Sequence, residues 1–267
     1  MKSISENNLS TRTIVADCNI QFDHVRIFKE LPVNYKLNNY LCKIIAMYHK
    51  DCPKGDLTYL KKKKKLSSFR NAVNIIINDD ENNFFNIKLS DKGKFQISGA
   101  KNLEKTYYAM MYLISLIKTV CPYCIMNHQD EIVISFTTVM TNFVYNAGFK
   151  IDKEKLNRLL IKDESHKFYN LFETSFGYTG LNLKLKMNPN DFQVKIPVFK
   201  LKNEKWRREE KEYQKLGKFE KFNSFLVFHS GKIICSGMTE NTMNEAFLTF
   251  RNYIKQHKDE IIESIKI

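Results

Sequence analysis

Apolar and polar residues alternate along several short stretches of this chain, and such alternation predicts strands that bury one face. In the first half, TIVADCNI (13–20), FRNAVNIII (69–77), FFNIKLS (84–90) and KFQIS (94–98) read this way, while DHVRIFKEL (23–31) predicts a short helix. Leu103, Tyr107, Met110, Ile114 and Ile117 step by four, three, four and three, the spacing of one buried face of a longer helix. The second half runs through the same order. EIVISFTTV (131–139), GLNLKLKM (180–187), SFLVFHS (224–230) and KIICS (232–236) predict strands, and DKEKLNRLLI (152–161) predicts a helix. A closing helix is expected from about Thr242 to Ile262, with Thr242 and Glu245 spaced as a capping box and Met243, Phe247, Phe250 and Ile254 on one face.

Two corners make the repetition explicit. DKGKFQISG (91–99) and HSGKIICSG (229–237) each place a strand between two glycines, and both Gly93 to Gly231 and Gly99 to Gly237 span 138 residues. The chain therefore reads as an N-terminal tail (1–12), a first copy of an α+β unit (13–120), a connector (121–130) and a second copy (131–267). Two stretches, 40–66 and 188–223, are expected as surface additions, one to each copy. Within the second, EKWRREEKEYQKLGKFEKF predicts an exposed charged helix.

Strand parity separates two faces. Ile14, Ala16, Cys18, Phe95, Ile97, Ile132, Ile134, Phe136, Ile233 and Cys235 form an apolar set suited to packing under the helices. Thr13, Val15, Asp17, Gln96, Ser98, Glu131, Val133, Ser135, Ile234 and Ser236 form the other set, mostly small and uncharged. A merely solvated face in so lysine-rich a chain would carry more charge. The two equivalent corners are expected to build a two-fold, saddle-like sheet with one face reserved for something elongated; the alternative is an open face that is simply wet or covered by a partner protein.

Composition sharpens this picture. The formal net charge is +14, carried by 36 Lys and 7 Arg, which favours a polyanionic partner through diffuse attraction to phosphates. Lys-, Asn- and Ile-rich usage also belongs to AT-rich genomes. No signal peptide and no bilayer-spanning run is seen; an intracellular protein without membrane partners is expected, with its six cysteines mostly as free thiols. Cys121-Pro-Tyr-Cys124 matches the glutaredoxin tetrapeptide, but it follows the C-terminal end of a predicted helix, where the dipole disfavours a thiolate. Cys121, Cys124 and His128 supply three zinc-type ligands without a fourth, so no metal and no cofactor are expected. Lys61–Lys65 reads as a solvated loop, a phosphate grip or an address signal. No nucleophile stands with a base, and no enzyme is expected.

With both corners and their helices in view, the chain resembles the TATA-box-binding protein (TBP) family. FLVFHSGKIICSGMTENTMNEAFLTF (225–250) is similar to the family's strand, Ser-Gly-Lys turn, strand and helix, KGKFQISGAKN (92–102) is the matching first-copy piece, and GYTGLNLKL (177–185) resembles its Phe-Pro-Gly-Leu stretch. TIVADCNI and EIVISFTT sit where the family has the first strand of each repeat. The resemblance implies a pseudo-symmetric saddle whose curved antiparallel sheet lies on the DNA minor groove, with helices on the convex face and aromatic wedges that bend the duplex. By position it implies Phe69, Leu89, Tyr178 and Phe228 as intercalating residues, with Ser90 in place of Leu89 if the alignment slips by one. Thr13, Val15, Gln96, Ser98, Val133, Ser135, Ile234 and Ser236 would line the groove, and Lys94, Lys101, Lys184 and Lys232 would approach phosphates. The family's first-strand asparagines fall on Thr13 and Glu131. The implied partners are AT-rich duplex DNA, a B-type general initiation factor or its viral counterpart, and RNA polymerase. Composition, divergence and insertions fit a large DNA virus or an AT-rich eukaryotic parasite, the virus being favoured, and hence the nucleus, or a cytoplasmic viral factory and virion if viral. A protein-interaction scaffold on the same fold, with Asp17 and Glu131 excluding DNA, is the alternative.

Overall fold

A computed structural model describes residues 9–56, 58, 71–163, 168–171, 180–187, 195–213, 221–238 and 240–263. The fold is α+β with antiparallel strand pairing throughout the described registers. It divides into two compact units. The first comprises Arg12–Thr137 with Lys195–Tyr213, and the second Met1–Thr11, Thr138–Val194 and Gln214–Ile267.

The first unit contains most of β1 (Leu9–Cys18), then α1 (His24–Glu30), β2 (Cys42–His49), β3 (Cys52–Gly55), β4 (Ala72–Asp79), β5 (Phe84–Ser90), β6 (Lys94–Ser98) and α2 (Leu103–Val120). Its strands lie in the order β3-β2-β4-β5-β6-β1. The Asn102 side chain caps α2 by accepting from Lys105 N at 3.1 Å, and the helix ends where Cys121 N bonds to the Ile117 carbonyl. Its apolar stripe packs with Ile14, Phe95 and Ile97 into one core.

The stretch 40–66 is not simply a surface addition. Its Cys42–His49 segment is β2, buried along nearly its whole length. Cys42, Ile44 and Met47 belong to the main core of the first unit. A bulge between Ile44 and Ala46 shifts the side-chain alternation, which conceals the strand from a strict period of two.

The chain continues through β7 (Ile132–Asn146), α3 (Lys153–Lys162), β8 (Phe168–Leu171), β9 (Gly180–Lys186), β10 (Lys195–Lys202), β11 (Lys205–Glu212), β12 (Phe222–Phe228), β13 (Lys232–Gly237), α4 (Glu240–Gln256) and α5 (Lys258–Ile261). The second unit orders its strands β7-β13-β12-β9-β8. That is the order β1-β6-β5-β4-β2 over again. Helix α4 starts at Glu240, so Thr242 stands inside its first turn and not at its cap.

Backbone hydrogen bonds fix the equivalence residue by residue. Cys18 N bonds to Gly93 O and Phe22 N to Asp91 O, each at 2.9 Å; Ala147 N bonds to Gly231 O and Ile151 N to His229 O, also at 2.9 Å. Gly93 and Gly231 both adopt positive φ, and a Cβ at either would strike a backbone carbonyl, of Ile20 in one case and Phe149 in the other. The corner is thus repeated because only glycine lets the β-turn lie against the chain leaving the first strand. Asp23 and Asp152 then cap α1 and α3.

Residues 204–213, the leading part of the stretch expected as a charged helix (204–222), instead supply the second strand of a hairpin, β11 pairing with β10 over 195–212. Asn203 and Glu204 occupy its two-residue turn with φ of 49° and 61°, the signature of a type I′ connection. Phe199 and Leu201 pair with Ile134 and Ile132 and enter the core of the first unit, where Phe199 meets Tyr107 and Phe136 at ring separations of 5.3 and 5.6 Å. The charges that suggested a helix are taken up locally. Arg208 pairs with Glu104 at 2.8 Å and Lys200 with Glu209 at 2.6 Å.

Candidate nucleic-acid interface

Each unit backs a surface of small or uncharged side chains with a buried apolar layer. In the first, Thr13 lies opposite Ser98 and Val15 opposite Gln96, and β5 continues the surface with Asn86 opposite Ser98 and Lys88 opposite Gln96. The intervening Ile14, Ala16, Ile87, Phe95 and Ile97 are all buried, so the parity is strict. Asp17 and Lys94 close the row as an ion pair at 3.7 Å, which offsets the carboxylate charge at that edge. In the second unit Asn142 lies opposite Ser236, Val144 opposite Ile234 and Asn146 opposite Lys232, extended by Ser224 and Leu226 of β12. Phe143, Phe225, Val227, Ile233 and Cys235 form the buried layer beneath.

The registers that create the two surfaces are the same. Thr13 pairs with Ser98 as Asn142 pairs with Ser236, so Asn142 is the counterpart of Thr13, Val144 of Val15 and Asn146 of Asp17. The chain is 25% identical over 224 residues to the TATA-box-binding protein-like protein of Acanthamoeba polyphaga mimivirus, covering 74% of this chain and 59% of that protein. The chain is TBP-like. It is also 26% identical over 213 residues to uncharacterized protein 335L of Invertebrate iridescent virus 6, covering 73% of this chain and 63% of that protein. It thus spans about six-tenths of the length of these curated relatives. The solved TBP of Methanococcus jannaschii overlays with a TM-score of 0.46 at 12% identity, over 93% of this chain and 98% of that one. No protein-family model matches.

In this TBP-like chain the residue facing Thr13's role in the second copy is Asn142, not Glu131. Strand β7 is 15 residues long, and the stretch taken for the first strand of the second copy is only its leading part. That part pairs with β10 and is held to the first unit by Asn19, whose Nδ2 donates to Glu131 O at 2.9 Å and whose Oδ1 accepts from Val133 N at 2.8 Å. Glu131, Val133 and Ser135 therefore sit beside the hairpin and the end of β1, with Glu131 near enough to Lys200 to help raise its pKa, after the larger effect of Glu209. The repeat signal lies in TNFVYNAGFKID (141–152), which matches RTIVADCNIQFD (12–23) at a constant offset of 129 residues.

Two of the wedge residues implied by resemblance, Phe69 and Tyr178, lie outside the described residues. Leu89 is not a wedge candidate. It is fully buried and faces the core, because its partner Phe95 does. Its true counterpart is Val227, and Phe228 corresponds to Ser90 at the half-buried end of β5. Phe228 itself is half-buried opposite Gly180. Ile234 and Ser236 are half-buried on the second surface. Lys94, Lys101 and Lys232 are exposed, Lys101 giving its carbonyl to Arg12, and Lys184 lies over the Phe222 ring at 6.0 Å.

The outer strands are unequal. In the first unit Ala46, Tyr48, Asn74 and Ile76 are buried although they point away from the main core, and Asn74 leaves both amide atoms without a hydrogen-bond partner. Their counterparts in the second unit are open: Tyr169 is 52% exposed, and Asn182 and Lys184 are half-buried. Elsewhere, burial pushes the Cys42, Cys121 and Cys235 thiols up to about 12, and Cys18 to about 11. Among the described residues no group of three or more His, Cys, Asp or Glu is placed to hold a metal, and no helix is long and apolar enough to cross a membrane.

Proposed function

We propose that this chain acts as a transcription initiation factor that applies the open surface of each unit to the minor groove of AT-rich duplex DNA and recruits a B-type initiation factor, or a viral counterpart, and RNA polymerase. The observation that carries this reading is the matched register of Thr13, Val15, Gln96 and Ser98 with Asn142, Val144, Ile234 and Ser236. The minor-groove edge of A·T pairs presents acceptors and little else. Small hydroxyl and aliphatic side chains fit closely against it, and the amides of Asn142 and Gln96 supply donors. Phe228 is the remaining described wedge candidate, and the excess of lysine supports phosphate contact.

The test is anisotropy and end-to-end energy transfer on a short labelled duplex, AT-rich against GC-rich, across a salt series. Salt-sensitive binding with AT preference and a shortened end-to-end distance is expected. If neither duplex binds at low salt, the proposal fails. A second reading, a TBP-fold scaffold for protein contacts without autonomous DNA binding, draws on the buried outer surface of β2 and β4, and that negative result would favour it.

A further inference from the structure

On the side of the first unit that carries α2, a groove of about 760 Å³ runs between the loop before β2 and the β10–β11 turn. Its floor is α2, through Tyr108, Met111 and Ser115, which lie beside the buried stripe of that helix. Both walls are fastened to this floor. Tyr40 Oη and Ser115 Oγ are 3.0 Å apart, and Trp206 Nε1 lies 3.3 Å from the same Ser115 oxygen. Tyr108 Oη donates to Asn39 O and accepts from Leu41 N, both at 3.1 Å, and Tyr112 Oη donates to Tyr35 O at 2.9 Å. The groove is therefore braced by hydrogen bonds that engage the hydroxyls of Tyr40 and Tyr108 and the indole N–H of Trp206. Between its charged rims the groove offers an occupant ring surface and the Met111 thioether.

We propose that this groove docks an acidic peptide segment of a partner protein, with a leucine or phenylalanine seated against Trp206, Tyr108 and Met111 and flanking carboxylates on Lys36 and Lys118. The charge pattern argues for this occupant. Lys36 and Lys118 line the groove, and among the described residues neither has an ion-pair partner, whereas Glu204 is the lone acidic residue in the lining. Two lysines suit a few carboxylates but are too few to track a nucleic-acid backbone, which needs a longer basic run. The apolar content matches the pattern of peptide grooves, in which a few buried anchors give affinity and a charged rim gives specificity. Among the described residues the hairpin wall has no counterpart in the other copy of the repeat. The docking surface does not depend on the DNA-binding reading, which uses the opposite face of the strands.

The chain's only tryptophan lies in the groove, so the test is direct. The full-length protein is titrated with a synthetic peptide of about 12 residues, Asp and Glu around two Leu and one Phe, while Trp206 emission is followed. Two controls replace the apolar residues by Ser or the acidic residues by Lys, and a third probe is an oligothymidylate of similar length. A saturable emission change with the acidic apolar peptide alone is expected, weakened about tenfold or more in the Lys36→Glu, Lys118→Glu double variant. That variant should keep the unliganded Trp206 emission, which reports an intact hairpin. The proposal is overturned if the acidic peptide produces no saturable change, if the lysine or serine peptide binds equally, or if oligothymidylate occupies the site instead.

Discussion

Asn142 carries the sharpest residue-level expectation. Its Oδ1 is buried with no hydrogen-bond partner, on the surface where Thr13 stands in the first copy. If that surface reads a groove of acceptors, Asn142→Asp replaces a donor with a negative charge and should lower duplex affinity about tenfold or more, roughly 1.4 kcal/mol. Glu131→Gln, beside the hairpin, should change affinity by no more than about twofold. Equal effects of the two substitutions in an anisotropy titration would show that the second surface is not the reader. The thiols make a separate expectation about pH. Burial raises Cys42, Cys121 and Cys235 from 9.0 to about 12, so folding disfavours their thiolates. Their contribution to stability is full below about pH 9 and is lost as pH climbs toward about 12. The urea midpoint should therefore fall between about pH 8 and about pH 10; an unchanged midpoint would contradict the buried placement.

At the scale of elements, the aspartate caps are the most transferable feature. Asp152 Oδ1 accepts from Glu154 N at 3.1 Å and Lys155 N at 3.0 Å, just after Ile151 is tied back to the repeated corner. Asp152→Ala should cost about 1 kcal/mol, readable as a lower urea midpoint with an unchanged slope. This level was also where the sequence was most legible. FFNIKLS and KFQIS are strands over the lengths their alternation predicts, and the helix after Ser98 presents the expected face. Three things were hidden, each for a physical reason. Strand β7 keeps alternating through two different pairings, so nothing in its pattern marks where the second copy starts. Strand β2 is buried on both sides and bulged, so it lacks the polar half of an alternation. The hairpin's charges imitate an exposed helix, while the Asn203-Glu204 turn is made from residues that are weaker turn signals than Asn-Gly. The shared open surfaces were legible for Thr13, Val15, Gln96, Ser98, Ile234 and Ser236, whose alternation places them opposite the buried layer. Asn142 and Val144 were missed because the leading part of β7 was matched in their place.

At the scale of the whole molecule, the two copies share a plan but not a surface. Phe228 stands where the first copy has Ser90, and the outer strands are open in the second unit and buried in the first. Phe228→Ala should therefore reduce the energy-transfer change on an AT-rich duplex, while Ser90→Ala should leave it unaltered; equal effects would contradict the unequal roles. The β10–β11 hairpin extends the contrast into the order in which the protein can be made. It is encoded after the second copy has begun, yet its Phe199 and Leu201 complete the core of the first unit. A nascent chain that has emerged only to Thr137 lacks these two side chains, and the Tyr107–Phe136 pair, 4.8 Å apart, is left without the Phe199 ring that completes the cluster. Synthesis from the N-terminus ordinarily lets the first unit finish before the next appears. Here the core of the first unit is completed only by residues 195–213, so a chain ended before them should leave that core unfinished.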